Sequence, residues 1–301
     1  MEGDRNIKIG FIGQGFIGKN YADDFENRGY SPVRYALEEA YIGNKEKVAE
    51  CDIVFIAVPT PTTPGGFDDS IVRGAVALVG KGKIAVIKST MVVGTTESIQ
   101  KQHEDRIVMH SPEFLVESTA AYDAAHPNRN IIGIPSETEA YKRAAEKVLS
   151  VLPEAPFTLV CSAREAELVK YAGNCFLYTK VMFANLMHDI AEASGVSWDN
   201  IRAGMAADPR IGSSHLRVVD ASRHPGAKPG RGAGGHCFIK DFAAFRAMHD
   251  QLLPEDIYGS EILRAMEEHN NQLLIESGKD LELLESVYGA EYVETRSHDA
   301  S

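Results

Sequence analysis

The stretch IKIGFIGQGFIGKN, residues 7–20, decides the fold of the first half of the chain. Its apolar run, residues 7–12, ends at Gly13, Gly15 and Gly18, which form the pattern G-x-G-x-x-G. A strand that passes through such a turn into a helix is the context in which this pattern binds a dinucleotide. Glycine allows the tight turn, the close approach of a pyrophosphate and the packing of the helix on the strand.

Short apolar runs recur through the first half of the chain, and helical patterns separate most of them. The runs cover residues 33–37, 52–58, 84–88, 106–110, 130–134 and 157–161. Strands that alternate with helices predict βαβ units in a parallel sheet with helices on both faces. We therefore predict an α/β fold that begins with a Rossmann-type doubly wound parallel sheet over residues 1–162.

After the last predicted strand the pattern changes to helices. Residues 163–194 predict one long helix closed by Gly195, and Ser197 is a suitable N-cap for a shorter helix. A loop rich in glycine, proline and basic residues follows at 208–236, and the remainder is helical again. We predict a mostly helical second region, residues 163–301, with one long central helix.

The composition is that of an ordinary globular protein, with 301 residues of which 44% are hydrophobic and 25% charged. The net charge of -12 argues against a general nucleic-acid binder or a protein held on an acidic membrane surface. No apolar run approaches the roughly 18 residues of a membrane span, so we expect a cytoplasmic protein without membrane contact. The four cysteines show no CxxC pairing, so we expect neither a metal site nor a disulfide framework.

The glycine pattern predicts a nicotinamide dinucleotide as cofactor. Phe16 and Ile17 lie between the glycines, at the helix N-terminus whose amides face the phosphates. Glu38 follows the second predicted strand, where a carboxylate binds the ribose hydroxyls and repels a 2′-phosphate. The alternative is that Glu38 starts a solvated turn; we expect NAD rather than NADP.

Polar segments follow three further predicted strands, at positions where a parallel sheet gathers its ligands. The candidate cofactor residues there are Val58, Pro59, Thr60, Ser89, Thr90 and Glu117. The candidate substrate residues are Glu113, Phe114 and Leu115, and both glutamates are placed for acid–base work. The prolines and hydroxyls are also typical of turns and helix caps.

Two more segments carry residue types suited to chemistry. Lys170 and Asn174 share one face of the long helix with Glu167, and together they can hold an anionic oxygen. The periodicity equally allows a solvated polar stripe. Cys237 follows a glycine-rich loop that gives a substrate access to its sulfur, with Asp241 four residues later. The alternative is a plain cysteine in a substrate-holding loop.

In their order, these segments resemble the UDP-glucose/GDP-mannose 6-dehydrogenase family. The matching segments are GQGFIG, VPTPTTP, KSTMVVGTT, HSPEFLVES, the Lys170–Asn174 helix, DPRIG at 208–212 and PGRGAGGHCFIKD, within roughly residues 7–245. The resemblance implies NAD-dependent oxidation of the primary alcohol of a nucleotide sugar to a carboxylate. It implies two hydride transfers through a thiohemiacetal and a thioester on Cys237.

The resemblance also implies roles for individual residues. Cys237 is the nucleophile, Lys170 and Asn174 hold the developing oxyanion, and Asp241 acts as a base through a water. The remaining catalytic candidates are Glu113 and Glu117 for thioester hydrolysis and Thr90 for positioning. The implied substrate-binding residues are Glu113, Phe114, Leu115, Lys170, Asn174, Arg210, Gly232, Gly234 and Gly235.

The chain departs from the pattern of that family in two respects. It ends where the family continues into a further nucleotide-binding domain, so we expect that C-terminal domain to be absent. His236 and Ile239 stand beside Cys237 where the family has serine and proline, and the basic stretch before it is longer.

Two other functions remain open at this stage. One is a two-electron dehydrogenase of the β-hydroxyacid type, which needs no thiol. The other is an NAD-binding regulatory module without chemistry. The long helix carries more apolar residues than a small domain can bury, so we also predict a homodimer.

Overall fold

The computed structural model describes residues 6–224 and 226–299, which form two compact units. The first unit runs through Thr60 and resumes from Asp68 to Lys170. The second consists of Pro61–Phe67 and the chain from Tyr171 onward.

The elements alternate between strand and helix in the first unit and are mainly helical in the second. The strands are β1 Ile9–Ile12, β2 Val33–Tyr35, β3 Ile53–Ile56, β4 Thr62–Thr63, β5 Gly66–Phe67, β6 Ile84–Ile87, β7 Ile107–His110, β8 Arg129–Ile134, β9 Phe157–Ser162, β10 Asp220–Ala221 and β11 Pro229–Gly230. The helices are α1 Phe16–Asn27, α2 Glu39–Ile42, α3 Lys45–Ala49, α4 Ser70–Ala77, α5 Thr95–Gln102, α6 Ala120–Ala125, α7 Glu139–Leu149, α8 Ala163–Ala193, α9 Trp198–Ala207, α10 Gly235–Leu252, α11 Ile257–Ser277, α12 Leu281–Tyr288 and α13 Ala290–Asp299, with a 3₁₀ turn at Glu117–Thr119.

The first unit is built on a seven-stranded sheet of order β2-β1-β3-β6-β7-β8-β9. The first five strands are parallel, which confirms the predicted α/β fold. The expectation that the whole sheet is parallel is wrong, because β8 pairs antiparallel with β7 through His110 and Gly133. The connection between them, residues 111–128, contains a 3₁₀ turn and the six-residue helix α6.

The core of the first unit explains why the sequences of its strands are continuous apolar runs. Strands β1, β3 and β6 are buried at every residue, since helices cover both faces of the sheet. Phe11 of β1 stacks on Phe55 of β3 with ring centroids 5.2 Å apart, and it meets Phe25 of α1 edge-on at 5.4 Å. This packing fixes the position of α1, whose N-terminus follows the glycine-rich turn.

Helix α8 has 31 residues and begins in the first unit, which confirms the predicted long central helix. Gly195 adopts a left-handed φ of 67°, and the Val196 N–H donates to the Ala191 carbonyl, which satisfies the end of the helix. Ser197 caps α9 by accepting from the Asn200 N–H, as the sequence predicts.

In the second unit, α10 to α13 pack around a shared apolar core that includes Ile239, Leu274, Leu284 and Val287. The predicted loop at 208–236 contains the short β10–β11 ladder and ends earlier than expected, because α10 begins at Gly235. Among the described residues, no helix combines the length and apolarity that crossing a membrane requires.

Candidate functional site

The turn after β1 has a backbone that admits only glycine at two positions. Gly13 has a φ of +91°, and a Cβ there would lie 2.1 Å from the carbonyl oxygen of Ala57. A Cβ on Gly18 would lie 1.9 Å from the carbonyl oxygen of Gly13. These two glycines therefore serve the turn and the contact of α1 with the sheet, as the fingerprint requires.

Gly15 has a different task, because a Cβ there would meet nothing within 4 Å. It is the N-cap of the 12-residue helix α1, and within residues 6–224 and 226–299 no side chain caps the start of that helix. Phe16 is exposed at the helix start, whereas Ile17 packs against the core. An open helix N-terminus with unhindered backbone fits the pyrophosphate of a dinucleotide.

Gly15→Ala is therefore expected to weaken NAD binding by about tenfold or more while leaving the unfolding temperature almost unchanged. The added methyl occupies the space through which the pyrophosphate approaches the α1 amides. Calorimetric titration with NAD and thermal unfolding measure the two effects. Gly43→Ala is the control, because Gly43 also has open space around its Cβ. Unchanged affinity in Gly15→Ala would contradict this site.

The segments after β3 and β6 are tied together by the predicted cofactor residues. The Ser89 hydroxyl donates to the Val58 carbonyl at 2.7 Å and accepts from the Val58 N–H at 3.0 Å. The Thr60 hydroxyl donates to the Thr90 carbonyl at 2.9 Å. Pro59 is exposed between them. These hydroxyls thus hold the two segments in register beyond the carboxyl ends of their strands.

Two other cofactor candidates lie at the surface of the first unit. Glu38 is the exposed N-cap position of α2, shortly after β2, where the fingerprint places the ribose-binding carboxylate. Glu117 begins the 3₁₀ turn and is exposed, so the structure does not bring it into the buried group around Glu113. The roles of both residues stay predictions.

Lys170 and Glu113 form a buried ion pair. The Lys170 Nζ donates to Glu113 Oε1 at 2.6 Å and to the Glu113 carbonyl at 2.8 Å, and both side chains are 7% exposed. Glu113 Oε2 accepts from the Leu115 N–H at 2.8 Å. The expectation of a solvated stripe is wrong for Lys170, which instead fixes the segment after β7 to α8.

Sequence reasoning missed three more buried polar residues beside this pair: Lys88, His110 and Tyr21. The Lys88 Nζ donates to the Ser111 hydroxyl at 3.1 Å and lies 4.5 Å from the centre of the Tyr21 ring. Burial lowers the pKa of Lys88 to about 8; Glu113 opposes this shift and Lys170 adds to it. The sequence does contain a signal for Lys88. This residue directly follows β6, at the edge of a parallel sheet where ligands bind.

A cavity of about 630 Å³ opens next to Phe114 and Leu115 in the first unit. Its walls are mainly apolar and include Phe157, and the guanidinium of Arg129 lies 3.7 Å from the centre of the Phe114 ring. The predicted substrate residues Phe114 and Leu115 therefore line an open cavity, in contrast to the buried Glu113.

Glu167 completes the polar face of α8 but serves a structural purpose. Its buried carboxylate accepts from the Gly94 N–H at 2.6 Å, the Thr96 N–H at 2.8 Å and the Thr96 hydroxyl at 2.6 Å. These donors lie at the N-terminus of α5, which has no cap of its own. Glu167 therefore supplies the missing helix cap.

In the second unit, Cys237 is exposed in the first turn of the 18-residue helix α10. The sequence places this cysteine at the end of a loop, whereas the structure places it inside the helix. The partial positive charge of a helix N-terminus favours a thiolate. Cys51 and Cys161 are buried, and burial raises the pKa of each thiol to about 11.

Asp241 lies one helical turn after Cys237, on the same side of α10, and is 1% exposed. It accepts from the amide of Asn174 at 2.6 Å and from the ammonium of Lys240 at 2.5 Å. Asn174 therefore has a carboxylate partner, as Lys170 does. The structure brings together Asn174 and Asp241, two of the predicted catalytic residues, through a hydrogen bond.

The glycines before Cys237 pack tightly on the end of α11. A Cβ on Gly232 would lie 3.0 Å from Asn270 Oδ1, and a Cβ on Gly234 would lie 2.1 Å from Asp280 Oδ2. The Asn270 amide pairs with both backbone groups of Ala233. Glycine at these two positions therefore permits close packing, while Cys237 itself stays exposed.

Asp280 holds the start of α10 in place. Its buried carboxylate accepts from the Gly235 N–H at 2.7 Å, from His224 Nε2 at 2.8 Å and from the Ser222 hydroxyl. Burial alone would raise the pKa of Asp280, but these hydrogen bonds lower it below its ordinary value. Arg210, by contrast, forms a bidentate pair with Asp208 and is 88% exposed.

Two family models match this chain in sequence order. The model of the NAD binding domain of the UDP-glucose/GDP-mannose dehydrogenase family matches residues 33–151, and the model of the central domain of the same family matches residues 164–272.

Individual relatives agree with these models. The chain is 34% identical over 250 residues to a UDP-glucose 6-dehydrogenase of Pseudomonas aeruginosa, covering 77% of this chain and 52% of that protein. It is 33% identical over 274 residues to the UDP-glucose 6-dehydrogenase YwqF of Bacillus subtilis, covering 85% and 56%. The chain thus spans about half the length of the curated relatives it matches.

A solved structure agrees over nearly the whole chain. The structure of a UDP-glucose dehydrogenase from Pyrobaculum islandicum superposes with a TM-score of 0.76 at 26% identity, covering 97% of this chain and 80% of that one. The glycine turn and the open α1 N-terminus fit the cofactor named by the first family model. The chain therefore belongs to the UDP-glucose/GDP-mannose dehydrogenase family, of which it carries the NAD-binding domain and the central domain.

Proposed function

We propose that this protein oxidises the primary alcohol of a nucleotide sugar to a carboxylate, with NAD as oxidant and a thioester on Cys237 as intermediate. The observation that carries the proposal is the position of Cys237, exposed in the first turn of α10 with the buried carboxylate of Asp241 one turn further on. A two-electron alcohol oxidation needs no such thiol. The two curated relatives described above are named UDP-glucose 6-dehydrogenases, and these names support this class of substrate.

The reaction proceeds in four chemical steps: a first oxidation, addition of the thiol, a second oxidation and hydrolysis. NAD, when bound, accepts the hydride in each of the two oxidations. After the first oxidation, the Cys237 sulfur adds to the aldehyde carbon and gives a thiohemiacetal, which again has a hydroxyl and a C–H bond. Loss of the second hydride and the hydroxyl proton leaves a thioester. Water then breaks its C–S bond, which releases the carboxylate and returns the thiol.

The polar residues have separate tasks in these steps. We assign Lys170 and Asn174 to the oxygen that becomes anionic during hydride loss and thioester hydrolysis. We assign Asp241 to proton removal through a water, because Asn174 and Lys240 hold it in place as an acceptor. Thr90 positions the substrate or water, and Glu113 keeps the Lys170 ammonium oriented.

Product identification tests this function. The protein is incubated with NAD and one substrate at a time: UDP-glucose, GDP-mannose or a simple primary alcohol. The mass of each product is then measured by mass spectrometry. A nucleotide sugar that gains one oxygen and loses two hydrogens supports the proposal. A product that has only lost two hydrogens favours the two-electron dehydrogenase. Tight NAD binding without any turnover favours the regulatory module.

We further propose that the protein is a homodimer joined along α8. Four large apolar side chains of this helix are exposed in the second unit and lie at helical spacing on one side. They are Phe176 at 69%, Phe183 at 52%, Leu186 at 49% and Ile190 at 57% exposed. A second copy of this helix would cover such a stripe in the manner of a twofold interface.

Phe183→Glu is expected to convert the dimer into a monomer, because two buried carboxylates would face each other across the twofold axis. Sedimentation velocity at micromolar concentration measures the mass. Leu252→Glu is the matched control, since Leu252 is 64% exposed but lies in α10. A wild-type protein that sediments as a monomer would contradict the interface.

A further inference from the structure

A buried group of five residues lies at the carboxyl ends of β6 and β7, and only two of its members have a role in the reaction proposed above. We call it the two-lysine cluster; it consists of Lys88, Lys170, Glu113, His110 and Tyr21. All five side chains are buried, with relative exposures from 0% for His110 to 8% for Tyr21. All lie within the first unit of the structure.

The contacts inside the cluster distinguish its two lysines. Lys170 binds Glu113 directly, with 2.6 Å between Nζ and Oε1. Lys88 binds the Ser111 hydroxyl at 3.1 Å and covers the face of the Tyr21 ring at 4.5 Å. Lys88 therefore interacts with Glu113 through space, and it makes no ion pair among the described residues.

The charges in the cluster do not cancel. Burial and the charge of Lys88 lower the pKa of His110 to about 3, so this imidazole is neutral. Burial and the charge of Glu113 raise the pKa of Tyr21 well above its ordinary value, so the phenol is neutral as well. Inside the cluster, two ammonium groups therefore face one carboxylate. Two further carboxylates, Asp24 and Asp123, act on the cluster from the side of Tyr21; Asp24 is paired with Arg28, and Asp123 accepts from the Val116 N–H and the Thr119 hydroxyl.

This excess charge has a consequence for Lys170. An ammonium that is fully paired with a buried carboxylate stabilises a second anion only weakly, because the carboxylate repels that anion nearly as much as the ammonium attracts it. A further buried ammonium nearby offsets the carboxylate. The attraction for an anionic oxygen is then restored in a place where water does not screen it.

We propose that Lys88 is a positioning residue that acts through Glu113: its ammonium offsets the Glu113 carboxylate, so that Lys170 can stabilise an anionic oxygen of the substrate. This inference rests on the proposed dehydrogenase function. It adds a residue that neither the motif pattern nor the ion pair itself identifies.

The first test is the pH dependence of NADH formation. Lys88→Met is expected to lower kcat roughly tenfold at pH 7 with little change in KM for the nucleotide sugar. In the wild type, the rate should fall as the pH rises through about 8, where Lys88 loses its proton. That decline should be absent in Lys88→Met. In Lys88→Arg it should move to higher pH, and the rate at pH 7 should recover, because arginine keeps the charge.

A role of Lys88 in packing alone would not produce this pattern. It would predict that methionine, which fills a similar volume without the charge, preserves the rate, and that arginine, which is larger, impairs it. That result would overturn the inference. Lys81→Met is the matched control, since the Lys81 side chain is 85% exposed.

A second measurement does not depend on enzyme activity. The pKa of Lys88 is about 8 in the folded protein and 10.5 for an ordinary lysine, so the unfolded chain binds more protons between these values. Stability therefore rises with pH in that window because of this group. The melting temperature of Lys88→Met should exceed that of the wild type by a few degrees at pH 7, and the difference should shrink towards pH 10.

The two measurements separate the two proposals. If the wild type oxidises no nucleotide sugar but the melting-temperature difference shrinks as described, the proposed function fails. The conclusion that Lys88 is a buried charge with a lowered pKa is then still supported. If the difference in melting temperature is constant from pH 7 to pH 10, folding does not change the pKa of Lys88. The inference on the cluster then fails, whatever the activity.

Discussion

Cys237→Ser is expected to abolish carboxylate formation, with a loss of roughly a thousandfold or more in the rate of the complete reaction. A serine hydroxyl is not ionised by a helix N-terminus near neutral pH, whereas a thiol is partly ionised there. Without an adduct, the aldehyde has no hydroxyl from which the second oxidation can start. Stopped-flow absorbance of NADH and mass spectrometry of the product measure the loss.

The matched control for this substitution is Cys161→Ala, which removes a buried thiol from the first unit. It should keep the reaction, although its stability decreases slightly. If Cys237→Ser forms the carboxylate at the rate of the wild type, the thiol is a plain surface residue. The second oxidation would then start from the hydrated aldehyde, and the thioester route would be contradicted.

Lys170→Met is expected to lower kcat by roughly a hundredfold to a thousandfold, because the ammonium that faces the developing oxyanion is lost. It also leaves the Glu113 carboxylate buried without its partner, which should cost about 3–5 kcal/mol of unfolding free energy. Kinetics and urea unfolding measure the two effects on the same preparation.

The double variant Lys170→Met, Glu113→Gln separates catalysis from folding. Glutamine removes the stranded charge, so above pH 8, where Lys88 has lost its own charge, the double variant should regain most of the stability lost by Lys170→Met. Its rate should stay low, because no ammonium has been restored. A double variant that regains the rate together with the stability would show that Lys170 only holds the structure of the segment after β7.

Features that depend on local chemistry could be read from the sequence. The glycines at 13, 15 and 18 predict the turn and the open helix N-terminus, because the residues of that short segment alone determine its backbone conformation and the access of a phosphate. The length of α8 and its C-terminal glycine follow from helical periodicity and capping in the same way. The family resemblance of the ordered motifs is likewise confirmed.

Features that depend on distant partners could not be predicted. Strand β8 runs antiparallel to β7, although the 18 residues between the two strands are enough for a parallel crossover, and no local pattern in the sequence indicates this direction. The glycines at 232 and 234 look like an open loop in sequence, but their partners, Asn270 of α11 and Asp280 before α12, lie about forty residues further along the chain. The two-lysine cluster joins α1, the end of β6 and α8, and no local pattern shows that such residues meet.

The most direct measurement for the central claim is the number of NADH molecules formed for each molecule of nucleotide sugar consumed by the wild-type protein. The account predicts two, with the carboxylate as the only product, because the aldehyde stays bound to Cys237 between the oxidations. A ratio of one, with a ketone or aldehyde as the product, would contradict the thioester route and leave Cys237 without a catalytic role.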